Sequence, residues 1–492
     1  MPGDHDAQKE GLLDRIKTLE QKASPLEPNA AERAAFLAQV TQYAESFLDD
    51  LPQSPAYIAA ADEGIGLYDS PIAEEPLDTA SALALLGHNV DRPGVNPASP
   101  RFFGYVPGGG LYFAALGDYL AAVTNRYAGL FFASPGAVRL EQQLLNWLIR
   151  EVGYPDKAAG NLTSGGSIAN LAGIVTAREA HNLKAKDFER SVVYLTRQTH
   201  HSVDKALRIA GLKECVKRYV PLDTHYRLRA DALAGMIVSD KQAGLNPWLI
   251  IASAGTTDVG AVDPLPALAD LAGAHQLWLH IDGAYGAIFA LCDMGKKILV
   301  SLEKSDSLVI DPHKGLFLPY GTGAILVREG GQLHAAHYYS DAPYLQDAKA
   351  AQAEVSAADL SPELTKHFRG LRLWLALKLV GAAPFRAALE EKLLLARYFH
   401  QKLQTLPGFE VGPQPDLSIV TYRYLPRRGD PNEFNQKLVQ VLQADGRVFV
   451  SSTMLDGKFI LRLAVLSFRS HLEQVDLALE VLRGKATELE KS

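Results

Sequence analysis

The chain has 492 residues, 47% hydrophobic and 21% charged, the make-up of a globular protein with enough core to hold several groups rigidly. Disorder, collagen and fibre are excluded. Lys and Arg total 49 against 56 acids for a formal charge of -7, which gives nucleic acid or an anionic membrane no electrostatic reason to bind. Two cysteines, Cys215 and Cys292, are too few for a disulfide scaffold or a cysteine-based zinc module.

The polar, acidic start and the lack of any uncharged apolar run of about 18 residues predict a cytoplasmic protein without a membrane partner. Residues 1–99 read as a helical arm: Leu12, Leu13, Ile16 and Leu19 make one stripe and 34–48 another, before Pro52, Pro55, Pro71 and Pro76 break the chain. From about 100 the pattern turns to short β-rich runs (191–195, 216–220, 248–253, 277–282, 307–310, 323–327) with helical stretches at 140–152, 168–180 and 264–272 among them. Several runs are apolar on consecutive residues, as in strands covered on both faces, which predicts an α/β body with a mostly parallel central sheet. The body is placed at 100–379 and includes a loop at about 340–362. A smaller C-terminal α+β domain follows at 380–492, with strands at 418–422, 448–451 and 459–466 and a helix at 472–482.

Ligands of such sheets sit beyond the C-terminal strand ends, where the polar clusters fall. Gly165-Gly166-Ser167 precedes the helical run from Ile168, and glycines with free amides at a helix start suit an anion such as phosphate. The sequence around it approaches a serine-hydrolase elbow, but the last residue of the motif is Ala169 and no Asp and His follow in a hydrolase order. Thr199-His200-His201-Ser202 follows the run at 191–195; the histidines could be metal ligands, although no third ligand is spaced to join them, or one could be a plate against a planar cofactor. Gly255-Thr256-Thr257, with Asp263 downstream, is rich in amides and hydroxyls. The strongest cluster has two parts: His280-Ile281-Asp282-Gly283-Ala284-Tyr285 puts a carboxylate at one strand end, and Asp311-Pro312-His313-Lys314-Gly315 puts a lysine after another. An amine, a carboxylate and an anion seat are what pyridoxal phosphate requires. No metal site is predicted.

Five motifs in order, Ser-Gly-Gly-Ser-Ile-Ala-Asn-Leu, His-His-Ser-Val-Asp-Lys-Ala, Gly-Thr-Thr-x-x-Gly-Ala-x-Asp, His-Ile-Asp-Gly-Ala-Tyr and Asp-Pro-His-Lys, resemble those of the pyridoxal-phosphate-dependent group II decarboxylases of aromatic amino acids and glutamate. The resemblance runs from about residue 100 to 379 and less clearly to the end. It implies a type I aminotransferase-like fold and a homodimer with active sites at the interface. Lys314 would carry the cofactor, Asp282 would pair with the pyridine nitrogen, His200 would stack on the ring and Ala284 would pack on its other face. Gly166, Ser167, Thr257, Asp311 and His313 would surround the phosphate, although an aspartate facing that anion needs a proton or a helpful neighbour. Phe102, Phe103 and Tyr105 would form the substrate entrance.

The implied activity is decarboxylation of an L-amino acid to its amine, with an aromatic substrate favoured. The alternatives are decarboxylation with oxidative deamination, carbon–carbon cleavage, or a cofactor-binding scaffold without catalysis. The family has a loop tyrosine that protonates Cα. Counting back from Phe368-Arg369 puts Ala357 at that place, so His201 is the first candidate donor, followed by Tyr338 and Tyr339. The family's frequent tryptophan after the lysine is Gly315.

Overall fold

The computed structural model describes residues 3–59, 63–106, 108–338 and 354–491, with side chains from residue 11 onward. The chain divides into two compact units, Met1–Ser54 with Ile58–Gly94 and Pro55–Tyr57 with Val95–Ser492. The two-residue strands β1 (Tyr57–Ile58) and β2 (Gly94–Val95) fall where the chain passes between them.

The first unit is helical: α1 (Gly3–Ala23), α2 (Ala30–Asp50) and α3 (Thr79–Leu86). A capping box starts α2, because Asn29 Oδ1 accepts from the amides of Ala31 and Glu32 while Glu32 Oε2 accepts from the Asn29 amide at 2.7 Å. The predicted apolar stripes are present, but Leu12, Leu13, Ile16, Leu19, Phe36, Leu37 and Val40 are all exposed.

In the second unit, β3 (Phe102–Phe103), α4 (Tyr112–Thr124) and α5 (Pro135–Glu151) lead into the main sheet. Its strands and intervening helices are β4 (Ala159–Thr163), α6 (Gly166–Ala180), β5 (Ser191–Leu195), α7 (His201–Ile209), β6 (Val216–Tyr219), α8 (Ala230–Gln242), β7 (Asn246–Ser253), α9 (Leu265–His275), β8 (Trp278–Asp282), β9 (Ser307–Ile310) and β10 (Gly323–Val327). Their order is β4-β10-β9-β8-β7-β5-β6, and pairing is parallel from β9 through β6. The reversed strand is β10, antiparallel to both neighbours, β4 and β9. Apolar side chains on both faces of β5, β7, β8 and β9 feed two separate cores under the flanking helices, which explains their unbroken hydrophobic runs.

The C-terminal part carries a second sheet of β11 (Phe409–Val411), β12 (Ile419–Tyr424), β13 (Phe449–Leu455) and β14 (Lys458–Ala464), ordered β11-β12-β14-β13-β3. Helices Ala383–Gln404, Pro431–Asp445 and Leu472–Lys491 supply apolar residues to its core. The edge strand β3 comes from far upstream and pairs in parallel with β13, Phe102 opposite Phe449 and Phe103 opposite Val450. Among the described residues no helix is long and apolar enough to cross a membrane.

Candidate active site

The C-terminal ends of the main-sheet strands converge on one cavity of about 310 Å³, within the range of small-molecule sites. Every residue that the resemblance implies for the cofactor lies on its wall: Gly166, Ser167, His200, Thr257, Asp282, Ala284, Asp311, His313 and Lys314. They come from five separate segments: 166–167, 200, 257, 282–284 and 311–314. Gly166 and Ser167 open α6, where the first amides have no intrahelical acceptor. His200 is the N-cap of α7, its ring nitrogen accepting from the Ser202 amide, and Asp282 ends β8.

Asp282 is buried and held from both sides. Its Oδ1 accepts from the Ala284 amide at 3.1 Å and its Oδ2 from Asn170 Nδ2 at 3.0 Å. Asn170 also meets Ser202 Oγ at 3.1 Å through Nδ2 and His280 Nε2 at 2.8 Å through Oδ1. Burial pushes the His280 imidazole down to about 4, against the opposing pull of Asp282. His200 is likewise lowered, first by burial. Asn170, Ser202 and His280 are the site residues that the sequence reading left without a role.

Lys314 Nζ lies 3.1 Å from Asp311 Oδ2, and His313 Nε2 lies 3.8 Å from the same oxygen. Lys314 is thus the neighbour that an aspartate in this place needs. His313 is fixed through Nδ1, which donates to the Thr322 carbonyl at 2.6 Å, and burial lowers its pKa. Asp311 Oδ1 is buried with no hydrogen-bond partner among the described residues. Gly166 must be glycine here, since a Cβ would stand 2.8 Å from Asp311 Oδ2 and 3.2 Å from Ala284 Cβ. Thr257 is held through its carbonyl, which accepts from the Arg462 guanidinium; Arg462 also donates to the Asp258 carbonyl at 2.9 Å and tethers the turn to the second sheet.

Other expected site residues lie elsewhere. His201 is exposed and off the cavity wall, its ring centroid 4.1 Å from that of His200. Phe102 and Phe103 are not at the cavity of this chain: they are 1% and 0% exposed, Phe102 stacked on Phe449 at 5.1 Å and Phe103 in the C-terminal core, because β3 inserts them into the second sheet. Tyr105 is exposed. Asp263 caps two backbone segments, accepting from the amides of Leu228 and Ser253 at 2.7 Å each, and is structural. Gly315 has no room for a larger residue, a Cβ there falling 2.0 Å from Ile288 Cγ2.

Ala357 is not on a free loop. Its carbonyl accepts from Asn161 Nδ2 at 2.9 Å, the Phe131 amide donates to Ser356 Oγ at 3.0 Å, and the Ala358 amide donates to the Gly129 carbonyl at 3.0 Å. Counting back from Phe368 therefore lands on a docked turn that carries no tyrosine. Tyr338 stacks on His334 with centroids 4.7 Å apart, away from the cavity. Tyr339, Tyr344 and the rest of 339–353 lie outside the described residues.

The model of the pyridoxal-dependent decarboxylase conserved domain matches residues 76–425. The chain belongs to the pyridoxal-dependent decarboxylase family. It is 35% identical to an aromatic-L-amino-acid decarboxylase of Bacillus atrophaeus over 85% of this chain and 88% of the relative. It is 29% identical to a phenylacetaldehyde synthase of Arabidopsis thaliana over 81% of this chain and 84% of the relative. Its fold is similar to that of Oryza sativa TDC with PLP and tryptamine, with a TM-score of 0.88, 26% identity and coverage of 94% and 99% of the two chains.

The cavity suits the family's cofactor on its own geometry. A primary amine, a carboxylate with both oxygens held by donors yet on the wall, and a bare glycine turn at a helix start are the three features that pyridoxal phosphate needs.

Proposed function

We propose that this decarboxylase acts on an aromatic L-amino acid, releasing CO₂ and the corresponding amine, as a cytoplasmic homodimer. The observation that carries the reading is the convergence of Lys314, Asp282 and His200 on one cavity whose other wall is the glycine turn of α6. The aromatic preference is supported by the aromatic-L-amino-acid decarboxylase among the relatives.

When bound, pyridoxal phosphate supplies a conjugated system that accepts the electrons released as CO₂ leaves. The protein's part is to prepare for that charge. Lys314 would hold the cofactor through its amine. Asp282, braced by Asn170 and the Ala284 amide, offers a fixed negative charge to the protonated ring nitrogen, which is worth most inside a buried site. His200 would stack on the ring, and Gly166, Ser167, Thr257 and His313 would hold the phosphate. A proton must then reach Cα. Lys314 and His200 are wall residues able to bring it, and the exposed ring of His201 lies against that of His200, centroids 4.1 Å apart.

A second reading has one specific support, the phenylacetaldehyde synthase among the relatives. In that reaction O₂ and water are consumed and the aldehyde, CO₂, ammonia and hydrogen peroxide leave. Incubating the purified enzyme with L-tryptophan, L-tyrosine and L-phenylalanine in an oxygen electrode tests both. Amine and CO₂ without oxygen uptake is the expected result. Stoichiometric oxygen uptake with ammonia would establish the aldehyde route, and no product from any of the three would overturn the aromatic assignment.

A further inference from the structure

The hydrogen bonds around Asn170 admit one consistent set of directions. A carboxylate oxygen can only accept from an amide, so the atom of Asn170 facing Asp282 Oδ2 at 3.0 Å is the NH₂ group. Its Oδ1 therefore faces His280 Nε2 at 2.8 Å and must receive a proton from it. His280 is fully buried and kept neutral, so a proton on Nε2 leaves Nδ1 bare. Ser307, at 2.7 Å, then has to donate its hydroxyl to Nδ1, and its own lone pair takes the indole N–H of Trp278 at 2.8 Å. The line of donors runs from Trp278 through Ser307, His280 and Asn170, and it ends on Asp282.

A branch leaves the same amide. The other N–H of Asn170 points at Ser202 Oγ, 3.1 Å away, so the Ser202 hydroxyl is free to donate to His200 Nδ1 at 2.7 Å. The Ser202 amide donates to that nitrogen too, at 3.3 Å. His200 Nδ1 is thereby an acceptor, and the proton of the neutral ring sits on Nε2. Asn170, Ser202 and His280 are 1%, 3% and 0% exposed, and in so buried a network each hydrogen bond counts for more than it would in water.

We propose that Asn170 is a positioning residue that sets two contacts of the cofactor site at once: it holds the Asp282 carboxylate for the ring nitrogen and, through Ser202, fixes the tautomer of the stacking His200. The assignment rests on the proposed pairing of Asp282 with that nitrogen. A leucine of similar size at 170 removes both donors. Losing an outer partner of this kind typically costs about 10–100-fold in affinity or activity.

The test is a double-mutant cycle between Asn170→Leu and Asp282→Asn, read by the dissociation constant of pyridoxal phosphate from apoenzyme and by kcat. Asn170→Leu alone should weaken both by about tenfold or more. In the Asp282→Asn background the loss should be at least about threefold smaller, because the carboxylate it serves is gone and only its action on His200 through Ser202 remains. A cofactor analogue with carbon in place of the ring nitrogen should lose less affinity than the cofactor does on going from the parent to Asn170→Leu. If Asn170→Leu costs the same with or without the Asp282 carboxylate, or weakens the analogue as much as the cofactor, the residue is merely structural and the inference fails while the cofactor assignment stands. If Asp282→Asn by itself has no effect, the ring-nitrogen pairing fails first. Should Asn170→Leu not fold, Asn170→Ser carries the same cycle.

Discussion

Lys314 Nζ and Asp311 Oδ2 are 3.1 Å apart on a single turn of chain, so the amine proposed to take the cofactor is already engaged by a carboxylate three residues upstream. Loading the cofactor has to break that contact, after which His313, at 3.8 Å, remains beside Asp311. Asp311→Asn removes the competing carboxylate and a negative charge from the phosphate wall. It should speed cofactor uptake by apoenzyme several-fold, because the amine then has no ion pair to leave. Stopped-flow absorbance on mixing with pyridoxal phosphate measures it, and slower uptake would mean that Asp311 assists loading.

Asp282→Ala should keep part of its cofactor but lose about 100-fold or more in turnover, since the missing charge matters most as electrons move into the ring. Turnover within about twofold of the parent would show that another group faces the nitrogen. In Lys314→Ala, borohydride should leave no cofactor attached to the chain, whereas in the parent peptide mapping should find it on residue 314.

The two adjacent histidines have different surroundings and should differ in their loss. His200→Phe keeps a planar ring on the wall but removes the proton, so amine formation should fall far more than cofactor affinity. His201→Phe, outside the cavity, should slow turnover only a few-fold, and the loss should shrink when small imidazole buffers are added. An equal loss for both variants would restore His201 to the reacting centre.

His280 binds its proton more weakly in the folded protein, at about 4, than in an unfolded chain, at about 6.5. Between those values the unfolded state holds the extra proton. Stability therefore rises with pH through the window and is lost as pH falls from about 6.5 toward about 4. His280→Gln, which still offers an N–H to Asn170, should show a shallower fall in melting temperature over that range. Asp263, pushed up to about 6 by burial, works in the opposite sense, but it is common to both proteins and cancels in the comparison. Parallel melting curves would show that His280 is not buried neutral.

The exposed stripe of α1 and α2, Leu12, Leu13, Ile16, Leu19, Phe36, Leu37 and Val40, needs a cover, and the proposed homodimer provides one. Light scattering at micromolar concentration should give a dimer, and deleting residues 1–50 should weaken it. A fully active monomer would remove that proposal.

How much was legible in the sequence depended on where each residue sits. Lys314, Asp282 and His200 stand at strand ends, where a charged or aromatic polar residue after an apolar run is conspicuous. Asn170 was not, because its partners Asp282 and His280 are 112 and 110 residues away and no spacing announces such a contact. Strand β4 was missed since Ala159, Gly160 and Asn161 have little β preference; pairing with β10 makes them a strand. Phe102 and Phe103 were placed at a pocket mouth by the resemblance alone, since a two-residue strand has no period by which the sequence could show it.

Strand β3 also has a consequence for how the protein is made. The backbone amide of Tyr105, just past this strand, donates to the side chain of Ser451, 346 residues further on. At roughly 5–20 residues per second, the ribosome needs about 20–70 s to deliver that partner after Tyr105 emerges. For that interval Phe102 and Phe103 lack the Phe449 and Val450 against which they pair. The newborn chain thus carries an uncovered aromatic pair through most of its synthesis, and nascent-chain chaperones that hold such segments should raise its soluble yield more than faster translation does.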